Sequence, residues 1–179
     1  YSGMLPGLVA GHYSFEETHI DLARLCQWAQ VRFIAADVTA LDPSRRSLSL
    51  AGRPPLDYDL LSLDIGSQPE LDPVPGARAN AVPVKPVAGL WQRWLGLRDR
   101  VQATELGHDH RIAVVGGGAG SVELVMAMAN SLGNRAKGID LWCGAPEILQ
   151  AYNRRARDRV MKALQRQGIE VHLDARVER

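Results

Sequence analysis

The sequence predicts an α/β fold in which strand–helix–strand units form a parallel sheet, accompanied by a small antiparallel meander. Two observations carry this prediction. Between residues 111 and 173, three short apolar runs alternate with two stretches of helical periodicity. Between residues 31 and 66, three runs of strand-forming residues are separated only by turn residues, with no helical stretch between them.

The overall composition restricts the classes of function. Of the 179 residues, 46% are hydrophobic and 23% are charged, and the net charge is only +1. A nucleic acid partner is therefore not expected, because such partners are bound by basic patches. No run approaches the roughly 18 consecutive apolar residues that a spanning helix needs, so we expect no membrane span. The distant cysteines, Cys26 and Cys143, form neither a CxxC pair nor a metal pattern, and they fit a cytoplasmic protein, free or peripheral to a membrane.

The first 86 residues are expected to contain a helix, a meander and a long connection. Thr18 is expected to begin a helix through "HIDLARLCQWAQ", with Cys26 as a small core residue on its buried face. The predicted strands are residues 31–38, 46–50 and 58–66. The proline-rich segment 67–86 is then predicted to run over the surface.

A second helix is predicted in "VAGLWQRWLGLRDRVQA", because its apolar residues repeat at helical spacing. Trp91 and Trp94 share the apolar stripe, so they are expected in the core rather than on a stacking surface. In the polar loop that follows, His108, Asp109 and His110 suggest metal ligands, but no further ligands stand at a useful spacing. We therefore expect no metal site.

A glycine-rich turn stands in "RIAVVGGGAGSVELVMAMANSL", where Gly116, Gly118 and Ser121 occupy the three small positions of a GxGxxG-type motif. The first glycine permits a tight turn, the second lets a pyrophosphate approach the backbone, and the third small residue lets the helix pack close to the strand. A helix over residues 121–132, with Gly133 as its C-cap, would direct its N-terminal N–H groups at the anion. The motif predicts a Rossmann-like dinucleotide site.

The elements after the turn support this interpretation. A second strand at 138–143, a helix at 153–167 and a third strand at 169–173 complete a βαβαβ half of a dinucleotide-binding domain. The alternative is a parallel unit whose glycine turn serves packing only.

One expected residue of an NAD site is missing. The acid that ordinarily binds the ribose at the end of the second strand is absent, and Cys143 and Gly144 stand there. Arg154, Arg155 and Arg157 begin the following helix. They lie either near a 2′-phosphate, which would make discrimination between NADH and NADPH weak, or on a solvated helix face.

Four stretches together resemble the pyridine nucleotide-disulfide oxidoreductase superfamily, FAD-dependent enzymes with two Rossmann domains. The similarity is greatest to its NADH dehydrogenase-like branch, including members fused to selenide, water dikinase. The stretches are "YSGMLPGLVAGHY", "VRFIAADVTALDPSRRSLSLAGRPPLDYDLLSLDIGSQP", "VPVKP" and "RIAVVGGGAGSVELVMAMA".

The resemblance implies a domain organisation. A partial FAD-binding domain that includes the meander would cover residues 1–80, a connecting segment and helix 81–110, and a partial NAD(P)H-binding Rossmann domain 111–179. It also implies that a FAD-type glycine turn precedes Tyr1, so that the chain is an internal fragment that is inactive and does not hold FAD by itself.

The same resemblance assigns cofactor-binding residues. Those near FAD would be Gly3 and Pro6 at the isoalloxazine, Asp37 and Val38 at the adenine, and Ile65, Gly66 and Ser67 at the pyrophosphate. Those at the pyrophosphate of NAD(P)H would be Gly116, Gly118, Ala119 and Gly120, with Ser121 as the third small position. Glu123 would face the nicotinamide, and its alternative role is a favourable charge in the first turn of the helix.

The expected activity follows from a departure from the family. Its disulfide reductases use a CxxxxC pair near the flavin, and this chain has no cysteine before Cys26. The resemblance therefore implies hydride transfer from NAD(P)H to FAD and then to a quinone or another acceptor. No catalytic side chain is expected, because the flavin performs the redox step. The alternative is a non-catalytic nucleotide-binding or interaction module that keeps the fold.

Overall fold

The computed structural model describes residues 1–103, 110–135 and 138–178. The loop with His108 and Asp109, where metal ligands were considered, lies outside these ranges. The chain divides into two compact units. Ile20–Ser67 forms the meander unit, and Tyr1–His19 together with Gln68–Arg179 forms the parallel-sheet unit.

The first 19 residues contain two short helices that were not among the predicted elements. A 3₁₀ turn, Ser2–Met4, leads into α1, Leu5–Ala10, whose apolar side chains are buried. α2, Phe15–Thr18, begins with a capping box between Ser14 and Glu17. Helices this short depend on tertiary contacts rather than on intrinsic propensity, and for that reason the sequence signal is weak.

The helix predicted in "HIDLARLCQWAQ" is shorter than expected and begins later. α3 spans Leu22–Trp28, and its cap is Asp21, whose carboxylate accepts from the backbone N–H of Arg24. Thr18, the expected first residue, ends α2 instead. No residue of α3 is buried and Cys26 is only half-buried, so the predicted buried face is wrong. The meander unit supplies no second apolar layer over this helix.

The meander is confirmed as three antiparallel strands. They are β1 Val38–Asp42, β2 Ser47–Leu50 and β3 Arg53–Asp57, paired in chain order. The carboxylate of Asp42 closes the first connection by accepting from the backbone N–H groups of Ser44 and Arg45, each at 3.0 Å. Gly52 turns the second connection with φ 66°, a conformation that favours glycine.

Two of the predicted strands, 31–38 and 58–66, are wrong in their bounds. Residues 31–37 and 58–66 are rich in strand-forming residues, but among the described residues they pair with no strand. The third strand is instead the segment with Pro54 and Pro55. Proline is tolerated there because β3 is an edge strand, where a missing N–H does not break the ladder.

The connection and the helix after it are confirmed. Segment 67–86 contains one helical turn, α4 Ala77–Asn80, and is otherwise irregular. α5 spans Val87–Ala103 and buries Leu90, Trp94 and Val101. Trp91 is partly buried against the same core, so both tryptophans are packing residues as predicted.

The parallel sheet has the predicted βαβαβ arrangement. Its strands pair in parallel in chain order, and each helix returns the chain to the same end of the sheet. The elements are β4 Arg111–Val115, α6 Ala119–Leu132, β5 Gly138–Trp142, α7 Arg154–Arg166 and β6 Glu170–His172. The fold class is therefore confirmed, with a parallel and an antiparallel sheet in one chain.

Burial is concentrated between the parallel sheet and its helices. Leu141 on the central strand and Leu164 on α7 are fully buried, as is Val125 on α6. Asp140 is also buried, and its carboxylate accepts from the guanidinium of Arg111 at 3.1 Å. Of the helices in the described part of the chain, none combines the length and apolarity needed to cross a membrane.

Candidate functional site

The candidate site is the turn between β4 and α6, at the carboxyl end of the parallel sheet. Gly116 has φ 130°, which a residue with a side chain rarely adopts, and its N–H donates to the carbonyl of Trp142 at 2.8 Å. The chain therefore leaves β4 sharply beside the end of β5. In open α/β sheets this is the edge at which ligands bind.

Gly118 is the N-cap of α6 and adopts an extended conformation. Among the described residues, no atom beyond its chain neighbours and its own helix lies within 4 Å of its Cβ position, so the space beside its backbone is open. No side chain caps the helix. α7 differs, because the side chain of its N-cap Asn153 accepts from the N–H of Ala156. The first N–H groups of α6 therefore have no capping side chain, and a helix end of this kind can accept an anion, which the helix dipole favours.

The helix begins at Ala119, two residues before the predicted start. Ala119, Gly120 and Ser121 therefore all belong to its first turn, whose N–H groups have no partner within the helix. The predicted C-cap is confirmed, because Gly133 follows Leu132 with φ 55°.

The serine at the third small position is accommodated by the first glycine. A Cβ at position 116 would clash with the Oγ of Ser121. The hydroxymethyl group that distinguishes Ser121 from glycine thus fills space that Gly116 leaves free. The strand and the helix of the motif can therefore still pack closely, although the third small residue is a serine instead of a glycine.

Gly117 is a constrained residue that the sequence interpretation passes over. A Cβ there would clash with the Sγ of Cys143, and its carbonyl accepts from the N–H of Leu149 at 2.7 Å. Gly117 is therefore held between the end of β5 and the loop after it. The only sequence signal was that Gly117 is the middle one of three consecutive glycines, a position that the GxGxxG spacing does not require to be glycine.

Glu123 is exposed and lies in the second turn of α6. The first turn of this helix contains no acidic residue. A favourable charge in the first turn, the alternative role of Glu123, is therefore wrong, since the dipole effect falls off beyond that turn.

The end of β5 carries no carboxylate at the expected place. Cys143 is buried, and its thiol lies 3.7 Å from the carbonyl of Glu147 as a weak hydrogen bond. The arginines after it are partly engaged. Arg157 pairs with Glu147, and Arg154 lies 3.8 Å from Asp158 on an exposed face of α7.

The residues assigned to FAD occupy other parts of the chain. Gly3 is exposed in the first 3₁₀ turn, and Pro6 lies in the first turn of α1, a helix that packs against α6. The others belong to the meander unit and are exposed, namely Asp37, Val38, Ile65, Gly66 and Ser67. Val38 is the first residue of β1, and Gly66 has φ 71°.

One cluster in the parallel-sheet unit has metal-ligand chemistry. Single ligand atoms of Asp140, Glu170 and His172 lie within 4.8 Å of one another. The guanidinium of Arg111 is bound to Asp140, and a cation placed beside it would be repelled. His172 stacks on Trp142 with ring centroids 4.0 Å apart. The arrangement is that of an ion-pair cluster rather than of an assembled metal centre.

Comparison with protein families gives one match over nearly the whole chain. A family model described as pyridine nucleotide-disulphide oxidoreductase matches residues 6–179. Members of this family are FAD-dependent NAD(P)H enzymes. The match confirms the resemblance seen in the sequence, including the cofactor class that it implied.

Solved structures share the fold at low identity. NDH2 from Plasmodium falciparum in complex with NADH aligns with a TM-score of 0.80 and 16% identity, covering 97% of this chain and 40% of that one. The water-forming NADH oxidase from Lactobacillus brevis bound to NADH aligns at 0.72 and 18%, covering 97% and 38%. An engineered NADPH oxidase derived from that enzyme, bound to NADPH, gives the same values. The chain thus spans about two fifths of the length of these proteins.

Proposed function

Because the chain belongs to the pyridine nucleotide-disulphide oxidoreductase family, we propose that it serves in a flavin-dependent enzyme that oxidises NADH or NADPH. When bound, the cofactors supply the chemistry: a hydride passes from the nicotinamide nucleotide to FAD and on to a quinone or another acceptor. The chain's own residues bind and orient the two cofactors, and no side chain acts as a nucleophile or general base.

The observation that carries the proposal is the uncapped N-terminus of α6. The open space at Gly118 admits a pyrophosphate to the backbone, and the N–H groups of Ala119, Gly120 and Ser121 are free of a capping side chain. The contrast with α7, which caps its own N-terminus with Asn153, supports an anion site at α6 over a turn that serves packing only. Glu123, one turn further along and exposed, is proposed to face the nicotinamide.

The proposed FAD site is supported by the backbone at Gly66. Gly66 combines a positive φ with open space around its Cβ position, which fits a loop that approaches a pyrophosphate closely. Ile65 and Ser67 flank it. We assign residues 1–80 to FAD binding, 81–110 to the connection and 111–179 to NAD(P)H binding.

The remaining FAD-binding residues are assigned by their positions in the stretches that resemble the family. Gly3 and Pro6 are proposed to shape the backbone near the isoalloxazine, and Asp37 and Val38 to meet the adenine. Both cysteines are free thiols, with Cys143 buried beneath Gly117, so neither is proposed to reduce a disulfide substrate.

The test is Gly118→Val in the full-length protein. The side chain finds open space in the protein but blocks the pyrophosphate, so binding of NADH and NADPH is expected to weaken by at least ~2 kcal/mol, roughly thirtyfold, with flavin still bound. Nucleotide titration by flavin absorbance or calorimetry measures it. Gly89→Val is the matched control, because Gly89 is an exposed glycine of α5 that also has open space at its Cβ position.

Two outcomes would contradict the proposal. Loss of flavin with unchanged nucleotide binding would mean that the two cofactor sites are assigned the wrong way round. A full-length protein that binds NADH but shows no bleaching of flavin absorbance on its addition would favour the non-catalytic nucleotide-binding module.

A further inference from the structure

The segment after β6 runs along the carboxyl end of β5. The N–H of Asp174 donates to the carbonyl of Ala145 at 3.0 Å, and the N–H of Ala175 donates to the carbonyl of Cys143 at 2.9 Å. These two bonds hold the segment beside the loop in which an adenosine ribose is bound in dinucleotide folds. Residue 176 is thereby placed next to that loop.

Arg176 stands at the end of this segment. Its Cα and Cβ lie 3.5 Å from the Cβ position of Gly144, the second residue after β5. It lines a cleft of about 900 Å³ that runs along β4 from Arg111 to Gly116 and also reaches Ser121. Arg176 is exposed, and within the described residues its guanidinium has no hydrogen bond or ion pair.

Apart from the exposed carboxylate of Asp174, the charges around the end of β5 favour an anion. The position that would hold a ribose-binding acid is Cys143, and the nearby carboxylate of Glu147 is neutralised by Arg157. Arg154 faces Asp158. Arg176 is thus a cation beside the end of β5, on a cleft that reaches Gly116 and Ser121, and no carboxylate of the described residues is bound to it.

We propose that Arg176 binds the 2′-phosphate of NADPH and allows this chain to use NADPH as well as NADH. The inference rests on the proposed nucleotide site at α6. A guanidinium binds a phosphate through two parallel charge-assisted hydrogen bonds, whereas the unphosphorylated ribose of NADH offers it no charge. The inference places the specificity residue on the segment after β6 rather than at Arg154 or Arg157, which already face carboxylates.

A neighbouring acid, Asp174, would give the opposite preference, for NADH over NADPH. Asp174 is exposed, lies two residues before Arg176 and has φ 51°. If its carboxylate accepted from the ribose hydroxyls, it would replace the missing acid of β5 and repel a 2′-phosphate. The two side chains predict opposite cofactor preferences.

The experiment compares Arg176→Gln with the wild type in the full-length protein. Dissociation constants for NADH, NADPH and the probe 2′,5′-ADP are measured at low and high ionic strength. We expect the wild type to bind NADH and NADPH within about tenfold, and Arg176→Gln to weaken NADPH and 2′,5′-ADP about tenfold or more with NADH unchanged. The increase in NADPH affinity on lowering the ionic strength should be smaller in the variant than in the wild type. Arg166→Gln, at the far end of α7, is the matched control.

The contrary results separate this inference from the proposed function. If Arg176→Gln leaves the ratio of the NADH and NADPH constants unchanged while both nucleotides bind, the assignment of Arg176 is wrong and the nucleotide site stands. A wild-type preference for NADH well beyond tenfold, abolished by Asp174→Asn, also overturns it. Failure of the full-length protein to bind either nucleotide overturns both proposals.

Discussion

The two sheets of this chain are stabilised in different ways. In the parallel sheet, the central strand β5 buries Ile139, Asp140 and Leu141, and helices α6 and α7 bury apolar side chains of their own. In the meander unit, which the structure describes throughout, Leu48 is the only buried residue. Parallel strands require covering helices, whereas antiparallel strands can be joined by short turns and can leave their faces exposed. The first sheet depends on burial, and the second depends on backbone pairing and turn hydrogen bonds.

The largest expected effect comes from removing buried volume in the parallel sheet. Leu141→Ala should lower the free energy of unfolding by ~2–5 kcal/mol, because Leu141 is fully buried. Leu41→Ala in β1 is the control, since Leu41 is 40% exposed, and it should cost less than ~1 kcal/mol. Urea denaturation, with amide hydrogen exchange to show which sheet opens, measures both. Equal costs would mean that the two sheets do not differ in the way described.

A smaller effect is expected at the glycine turn. Gly117→Ala forces a Cβ against the Sγ of Cys143 and should cost ~1–3 kcal/mol of stability, whereas Gly118→Ala meets open space. Cys143→Ala removes the sulfur, so the cost of Gly117→Ala should fall in the double variant. A double-mutant cycle measures this coupling. Additive costs would show that the two residues do not compete for space.

The smallest effect concerns the turn between β1 and β2. The hydrogen bond from the Ser44 hydroxyl, followed by the N–H of Arg45, lowers the pKa of Asp42 below its usual value. A lowered pKa in the folded state means that the contribution to stability is present above the ordinary pKa of 3.8 and is lost as the pH falls through the folded value. Amide chemical shifts of Ser44 and Arg45 should therefore move together below about pH 4. In Asp42→Asn these shifts should be insensitive to pH, and an unchanged titration would show that another group controls the turn.

The sequence predicted the parallel sheet better than the meander for a physical reason. Buried strands and helix stripes are local patterns, so β4, α6, β5, α7 and β6 lie within two residues of their predicted bounds. Whether an apolar run such as "VRFIAADV" becomes a strand depends on a pairing partner, which its own residues do not specify. Pro54 and Pro55 indicated a turn, yet an edge strand accommodates them because it needs fewer N–H donors.

The candidate site was predictable where it depends on spacing along the chain. Gly116, Gly118 and Ser121 follow from the motif itself. Gly117 and Arg176 do not, because their importance arises from residues brought close by folding, Cys143 in one case and Gly144 in the other. The missing acid at Cys143 was visible in the sequence, but the segment placed beside it was not.

The mutual fit of residues in the glycine turn restricts the order in which substitutions can accumulate during evolution. Ser121 occupies space that Gly116 leaves free, and Cys143 does the same for Gly117, so the turn consists of two interlocked pairs. A side chain gained at position 117 requires a smaller residue at position 143 beforehand. A lineage that altered its cofactor preference by enlarging position 143 would have to retain glycine at 117. Among the described residues Gly118 has no such partner, so its replacement is restricted by the proposed ligand rather than by a neighbouring side chain.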